Sequence, residues 1–144
     1  MFQGNPYPLA EAVADGRQLQ TILVDAVTAL ERAIEQRTAA SAAYRDAKAS
    51  YESAETEYVF DIVFGDHPDY ARAKNADMRK LAQDKLLISA RDSGYLASAW
   101  RALGAAESRW QQAEAFHVQA EARFRAARGA AELQSSMLRA ATAV

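Results

Sequence analysis

The hydrophobic residues of this chain recur with a seven-residue period over two long stretches. In the later stretch, positions seven apart are mostly large: Leu96, Leu103, Trp110, His117, Phe124, Ala131 and Leu138. Three residues after each of these, the row is alanine up to its last member: Ala99, Ala106, Ala113, Ala120, Ala127 and Gln134. A heptad with large residues at position a and alanine at position d is typical of closely packed coiled-coil helices.

The earlier stretch, from Arg17 to Phe64, repeats this design and contains neither proline nor glycine. Its a row is Leu23, Leu30, Arg37, Tyr44, Tyr51 and Tyr58, and its d row is Ala26, Ala33, Ala40, Ala47 and Ala54. At 1.5 Å per residue this predicts a helix roughly 70 Å long. Residues 58–64 are rich in residues that also favour strands, but they continue the pattern and are interpreted as the last helical turns.

Glycine, proline and asparagine predict where these helices begin and end. Residues 1–16 are predicted to be an irregular lead-in, with a break at Asp15-Gly16. The chain is predicted to bend near residues 65–75, and the next helix to start near Pro68 or at Asn75, a favourable N-cap residue. A kink or a short extra helix is expected near Gly94, after which the final helix continues to about Ala140.

These elements predict an all-α fold: a long antiparallel helical hairpin that forms a coiled coil with an alanine-rich seam, as a single domain over residues 17–144. In an antiparallel pair, an a layer of one helix meets a d layer of the other, so each layer combines a large residue with alanine. A bend near residue 70 places Tyr44 roughly level with Leu96.

Further apolar residues lie beside this seam, at positions e and g. A two-helix seam needs apolar residues only at a and d, so the wider stripe predicts a homo-oligomeric bundle or a helical partner. The alternative is that the N-terminal segment folds back over it. The candidate interface residues are Ile22, Val27, Ile34, Tyr95, Trp100, Phe116 and Met137.

Composition limits the cellular compartment and the classes of partner that suit this chain. The chain has no cysteine and a formal charge of −2, which leaves no disulfide framework and no uniformly basic coat. A cytoplasmic location fits the missing cysteines. No apolar run approaches the length of a membrane span and the N-terminus lacks the pattern of a signal peptide, so no membrane association is expected.

One basic cluster stands out near the predicted bend. Arg72, Lys74, Arg79 and Lys80 fall within nine residues opposed only by Asp77. Cations neutralise phosphates, and a nearby aromatic residue such as Tyr70 or Phe64 can stack on an unpaired base. The pattern makes these six residues candidates for nucleic-acid binding; the alternative is an ordinary solvated helix start.

Other distinctive residues have structural interpretations. Tyr44, Tyr51 and Tyr58 can form a stacking platform, but seam packing accounts for their spacing. His67 and His117 lie too far apart in the chain to form a zinc site or an acid–base pair, and Arg37 is interpreted as a polar residue that sets the register of the seam. We find no catalytic motif, and we expect no enzyme activity, metal, cofactor or small-molecule substrate.

The segment Lys74-Asn75-Ala76-Asp77-Met78-Arg79, followed by a long alanine- and glutamate-rich helix, resembles small phage-encoded helical proteins found beside recombination genes. The resemblance extends over residues 45–130. In those proteins a Lys-Asn-Ala-x-x-Arg stretch joins two long helices, and Lys74, Asn75 and Arg79 are the matching positions here. The resemblance implies an oligomeric accessory factor that acts on single-stranded DNA or on a recombinase.

Two hypotheses follow for the function. The first is a DNA-associated oligomeric module that presents its basic bend to single-stranded DNA or to a recombination protein. The second is a protein-interaction module, meaning a scaffold, adaptor or inhibitor, that binds no nucleic acid.

Overall fold

The computed structural model describes residues 9–65 and 67–143, and these form an all-α helical hairpin. Helix α1 spans Leu9–Phe64, α2 spans Pro68–Ala71, α3 spans Ala76–Ser93 and α4 spans Ala97–Thr142. The two long helices, α1 and α4, pack against each other, as the heptads predict. The chain divides into a terminal unit, which holds the chain up to Thr38 and from Gln112 onward, and a central unit, Ala39–Gln111.

In the terminal unit the alanines at d form the buried seam. Ala12, Ala26 and Ala33 of α1 are fully buried, and Ala113, Ala120 and Ala127 of α4 are less than a tenth exposed. The larger residues at a, such as Leu23 and Phe124, are only half-buried. Alanine side chains let the two backbones approach, so the larger side chains lie along the flanks of the contact.

The central unit has a core to which three helices contribute. One buried cluster consists of Tyr51 of α1, Leu87 and Ala90 of α3, and Leu96 immediately before α4. Tyr58, Val59 and Leu103 pack against it. This cluster explains why α3 is a separate element, since α3 lies on α1 beside the first turns of α4.

The irregular lead-in predicted for residues 1–16 needs correction for its second half. Residues 1–8 lie outside the described residues, but α1 begins at Leu9 and passes through Gly16 without a break. Ala12 is fully buried, and its carbonyl oxygen accepts a hydrogen bond of 2.7 Å from Nε2 of Gln134. This packing on α4 outweighs the cost of about 1 kcal/mol for a glycine inside a helix.

The predicted register also differs from the observed one. Tyr44 stacks on Trp110, with ring centroids 5.2 Å apart, and so does not lie level with Leu96. The displacement equals two heptads, so the same residues remain in the a and d rows. The midpoint in sequence between paired residues of α1 and α4 moves from residue 70 to about Asp77. It arises because α2 and α3 lengthen the connection between the long helices. Tyr44 and Trp110 both belong to a rows. The prediction that every layer pairs a large a residue with a d alanine did not include such a contact between two large residues.

The interruption predicted near Gly94 is confirmed. Helix α3 ends at Ser93, and the backbone N–H groups of Gly94 and Leu96 both donate to the carbonyl oxygen of Ala90. A Cβ at residue 94 would lie 2.9 Å from the Cα of Ala90, closer than side-chain carbons approach. Glycine is therefore needed for the sharp passage from α3 to α4.

Changing Gly94 and Gly104 to alanine is expected to shift stability in opposite directions. Gly94→Ala should lower the free energy of unfolding by at least about 1 kcal/mol, because the new methyl group clashes with Ala90. Gly104→Ala should raise it by about 0.8–1 kcal/mol, because Gly104 lies inside α4 with open space around its Cα. Urea denaturation followed by circular dichroism measures both, and stabilisation by Gly94→Ala would contradict the close approach.

The alanine seam predicts a position-specific penalty for a larger side chain. Ala106 is 7% exposed, whereas its neighbour Ala105 is exposed. Ala106→Leu should therefore destabilise by about 1–3 kcal/mol through overpacking. Ala105→Leu is the matched control and should be close to neutral, and equal melting temperatures of the two variants would argue against a close-packed seam.

Candidate binding surface on the central unit

The connection after α1 is built from local hydrogen bonds that the sequence anticipates. His67 caps α2, because its Nδ1 accepts from the backbone N–H of Asp69 at 3.3 Å and Pro68 occupies the first turn. Asn75 caps α3, because its Oδ1 accepts from the backbone N–H of Met78 at 2.9 Å. Both predicted helix starts are therefore present, separated by Arg72–Asn75.

The predicted basic cluster lies on this connection and on the first turns of α3. The side chains of Arg72, Lys74, Arg79 and Lys80 are all exposed. None of the four forms an ion pair with another described residue, whereas Arg37, Arg91, Arg125 and Arg128 do. Their charges therefore face solvent without a protein counter-ion among residues 9–65 and 67–143.

The two aromatic candidates differ in accessibility. Phe64 is 71% exposed at the end of α1, and it contacts Phe60, itself 60% exposed, with ring centroids 4.7 Å apart. Tyr70 on α2 is half-buried. The exposed pair Phe60 and Phe64 is thus the more accessible aromatic surface, and Phe60 was absent from the sequence-based candidates.

An open groove of about 580 Å³ runs beside α2 and α3. Apolar side chains of α3 supply most of its floor: Met78, Leu81, Ala82 and Leu86. Arg72 and Lys85 supply positive charge at its sides, and Asp69 supplies one negative charge. The sequence did not reveal this groove, because it depends on how α2 packs on α3.

A second polar cluster, also missed by the sequence analysis, joins all three longer helices. The guanidinium of Arg91 on α3 lies 4.6 Å from the ring centroid of Trp100 on α4. Its Nε donates to the hydroxyl of Tyr51 on α1, and its Nη2 lies 3.5 Å from Glu55. The only sequence signal for this cluster was the tyrosine row, because the partners are 40 residues apart.

Burial and hydrogen bonding raise the pKa values of Tyr51 and Arg91, respectively. Burial of Tyr51, opposed by the hydrogen bond from Arg91, raises the pKa of the phenol above its ordinary value of 10.0. The hydrogen bond to Tyr51 raises the pKa of Arg91. The phenol therefore remains neutral and the guanidinium charged near neutral pH, which is the state in which the guanidinium donates and the hydroxyl accepts.

The tyrosine row is packed and is not a free stacking platform. Tyr44 stacks on Trp110, Tyr51 contacts Trp100 at 5.1 Å, and Tyr58 stacks on Tyr95 at 6.0 Å. The hydroxyl of Tyr58 also donates to the carbonyl oxygen of Leu86 at 3.4 Å. These rings therefore position α3 and α4 on α1.

Most of the predicted interface residues are accessible in one copy of the chain. Tyr95 is 65% exposed and Val27 is half-buried. The others are between 41% and 47% exposed: Ile22, Ile34, Trp100, Phe116 and Met137. Tyr95 and Trp100 already have aromatic partners within the chain, so part of each ring is already covered.

The remaining polar candidates have local roles. Nε of Arg37 donates to Glu114 at 2.8 Å, although the Arg37 side chain is 46% exposed and so is less buried than an a position predicts. His117 is half-buried in the a row. No group of three His, Cys, Asp or Glu side chains among the described residues is arranged to hold a metal ion.

Comparison of the chain with protein-family models, with curated proteins and with solved structures finds no significant match. None of the described helices combines the length and apolar character needed to cross a bilayer.

Arg91→Lys should destabilise the protein by about 1–2 kcal/mol. Lysine cannot stack a planar group on Trp100 while also bonding to Tyr51 and Glu55. Arg101→Lys, at an exposed position on the next helix, is the matched control and should change stability by less than about 0.5 kcal/mol. Equal denaturation midpoints for the two variants would show that the Arg91 contacts contribute little.

Proposed function

We propose that the protein is a non-catalytic helical accessory module that binds single-stranded DNA through its basic connection: Arg72, Lys74, Arg79 and Lys80. The observation that carries the proposal is that all four side chains are exposed and lack an ion-pair partner among the described residues. Cations in this state bind phosphates by releasing the counter-ions of the nucleic acid, without first breaking contacts inside the protein.

Exposed aromatic rings favour a single strand over a duplex. Phe60 and Phe64 are more than half exposed at the end of α1, in the same unit as the cations. An unpaired base can stack on an aromatic side chain, whereas a base inside a duplex presents only its edges. Stacking and phosphate contacts are both tolerant of sequence, so the module should bind many sequences similarly.

A non-catalytic role agrees with the remaining chemistry. Neither His67 nor His117 forms a side-chain hydrogen bond to a serine or a carboxylate among the described residues. The described grooves are open to solvent, unlike the enclosed pockets that bind small substrates. A cytoplasmic location remains part of the proposal, because a chain without cysteine is compatible with a reducing compartment.

The second candidate function is a protein-interaction module that binds no nucleic acid. The groove beside α2 and α3 favours it, because its floor is aliphatic and offers no aromatic ring to a base. The proposal of a recombination protein as partner rests on the Lys-Asn-Ala-x-x-Arg resemblance alone.

A fluorescence anisotropy titration with labelled oligothymidine tests the DNA proposal. Four phosphate contacts on a single strand predict a log–log salt slope of about −3, so affinity should fall roughly 50-fold between about 50 and 200 mM salt. Changing Arg72, Lys74, Arg79 and Lys80 together to alanine should abolish most of the binding and flatten the slope.

The matched control changes to alanine four other exposed arginines that form no ion pair with a described residue: Arg45, Arg109, Arg123 and Arg139. Both variants lose the same charge, so a difference between them reports position. Retained binding in the control supports the basic connection. Absence of wild-type binding at low salt would reject the DNA proposal in favour of the protein-interaction module.

A further inference from the structure

We propose that two copies of the chain associate by docking the exposed Phe60 and Phe64 of one copy onto the α2–α3 groove of the other. The aromatic stripe is defined as Glu57, Phe60, Asp61 and Phe64 of α1. The groove stripe is defined as Met78, Leu81, Lys85 and Ile88 of α3. The contact would cover the two phenyl rings that the proposed function offers to unpaired bases, so a second copy and a single strand compete for Phe60 and Phe64.

The aromatic stripe is a single exposed face of α1. Its members are spaced three or four residues apart, so they lie along one side of the helix. All four are exposed, whereas Ile62, on another side of the same turns, is 1% exposed. Two adjacent phenyl rings flanked by two carboxylates are therefore presented to solvent.

The groove stripe is the corresponding exposed face of α3. Met78, Leu81 and Ile88 are 47%, 55% and 64% exposed, and Lys85 lies between them at helical spacing. Leu87 and Ala90 bury the opposite side of the helix in the core of the unit. Helix α3 is thus apolar on two sides, and only one of them is covered by the residues that the structure describes.

The chemistry of the two stripes is complementary. The first combines aromatic rings with carboxylates. The second combines aliphatic side chains with Lys85 and lies beside Arg72 and Asp69, so the lining of the groove carries a net positive charge. When the two stripes meet, the carboxylates of one would lie opposite the cations of the other, beside the apolar contact. Such an arrangement orients and stabilises an interface. The groove of about 580 Å³ beside Met78 and Leu81 is large enough to receive a phenyl side chain as an anchor.

A second copy is the occupant that this complementarity selects. Both stripes remain exposed in one chain, so they do not satisfy each other internally. Every copy carries both stripes, and a two-fold arrangement forms the aromatic-to-groove contact twice. That duplication doubles the buried surface, which brings two narrow stripes towards the area of a specific interface.

Engineered cysteines test the contact directly, because the natural chain contains none. Phe64→Cys and Leu81→Cys are made in separate chains, and the two variants are mixed and oxidised. The two chains differ in length, so that the mixed disulfide dimer can be distinguished by size from the two homodimers. A disulfide requires the two Cα atoms to come within about 7 Å, so the mixed pair should cross-link at least about tenfold faster than Phe64→Cys with Val118→Cys. Val118 is a suitable control since it is 61% exposed on α4. Equal rates would overturn the proposal.

Light scattering tests the same contact through mass. The wild type should have a measured mass of about twice 15.8 kDa. Phe60→Ser with Phe64→Ser should give a monomer, while Val118→Ser with Leu133→Ser, two comparably exposed residues of α4, should leave the dimer intact. A monomeric wild type, or a dimer insensitive to the phenylalanine changes, would overturn the proposal.

A charge swap keeps the test informative if the phenylalanine variant is poorly folded. Lys85→Glu should weaken the dimer roughly fivefold, as expected for losing an exposed ion pair and adding a repulsion. Adding Asp61→Lys in the same chain should restore the affinity. If Asp61→Lys does not restore the affinity lost through Lys85→Glu, the two side chains do not face each other across the dimer contact, and the proposed pairing of groove and aromatic stripe is wrong.

Discussion

The close approach of α1 and α4, permitted by rows of alanine at d, is the constraint on which the rest of this structure depends. An alanine seam buries little apolar area per residue, so its stability comes from many short contacts over a long length. In the terminal unit the d alanines are fully or almost fully buried, while larger neighbours are only partly covered. The large residues at a therefore pack beside the alanine contact, and they remain partly exposed because the seam is narrow.

Such a seam specifies its register poorly, because one alanine resembles the next. Polar and aromatic contacts supply the missing information. Gln134, 8% exposed at a d position, donates to the backbone of Ala12, and this hydrogen bond can form in only one register. Tyr44 on Trp110 and Arg91 on Tyr51 fix the register in the central unit. The few residues that break the alanine pattern therefore determine which alanines meet.

Local and periodic features could be predicted from the sequence, whereas features that depend on long-range packing could not. The a and d rows, the helix start at Pro68, the cap at Asn75 and the interruption at Gly94 all follow from spacing and backbone chemistry. The two-heptad shift did not, because a heptad pattern is unchanged by a shift of seven or fourteen residues. The role of Arg91 was equally hidden, since its partners become neighbours only after α3 packs on α1. The basic cluster was visible as composition, but the groove beside it required the packing of α2 on α3.

The candidate binding surface lies where the heptad pattern stops, and this follows from the same constraint. Along the seam, each helix places its a and d positions against the other helix, and its remaining positions are mostly exposed. Between Phe64 and Ala97 the chain leaves that pattern, so α3 is free to carry a second apolar side that none of the described helices covers. Apolar side chains such as Leu81 and Ile88 gain free energy whenever a partner removes them from water, and the cations beside them favour an acidic partner. The proposed binding surfaces, the basic connection and the second apolar side of α3, therefore lie in a described segment that the seam of α1 and α4 does not use.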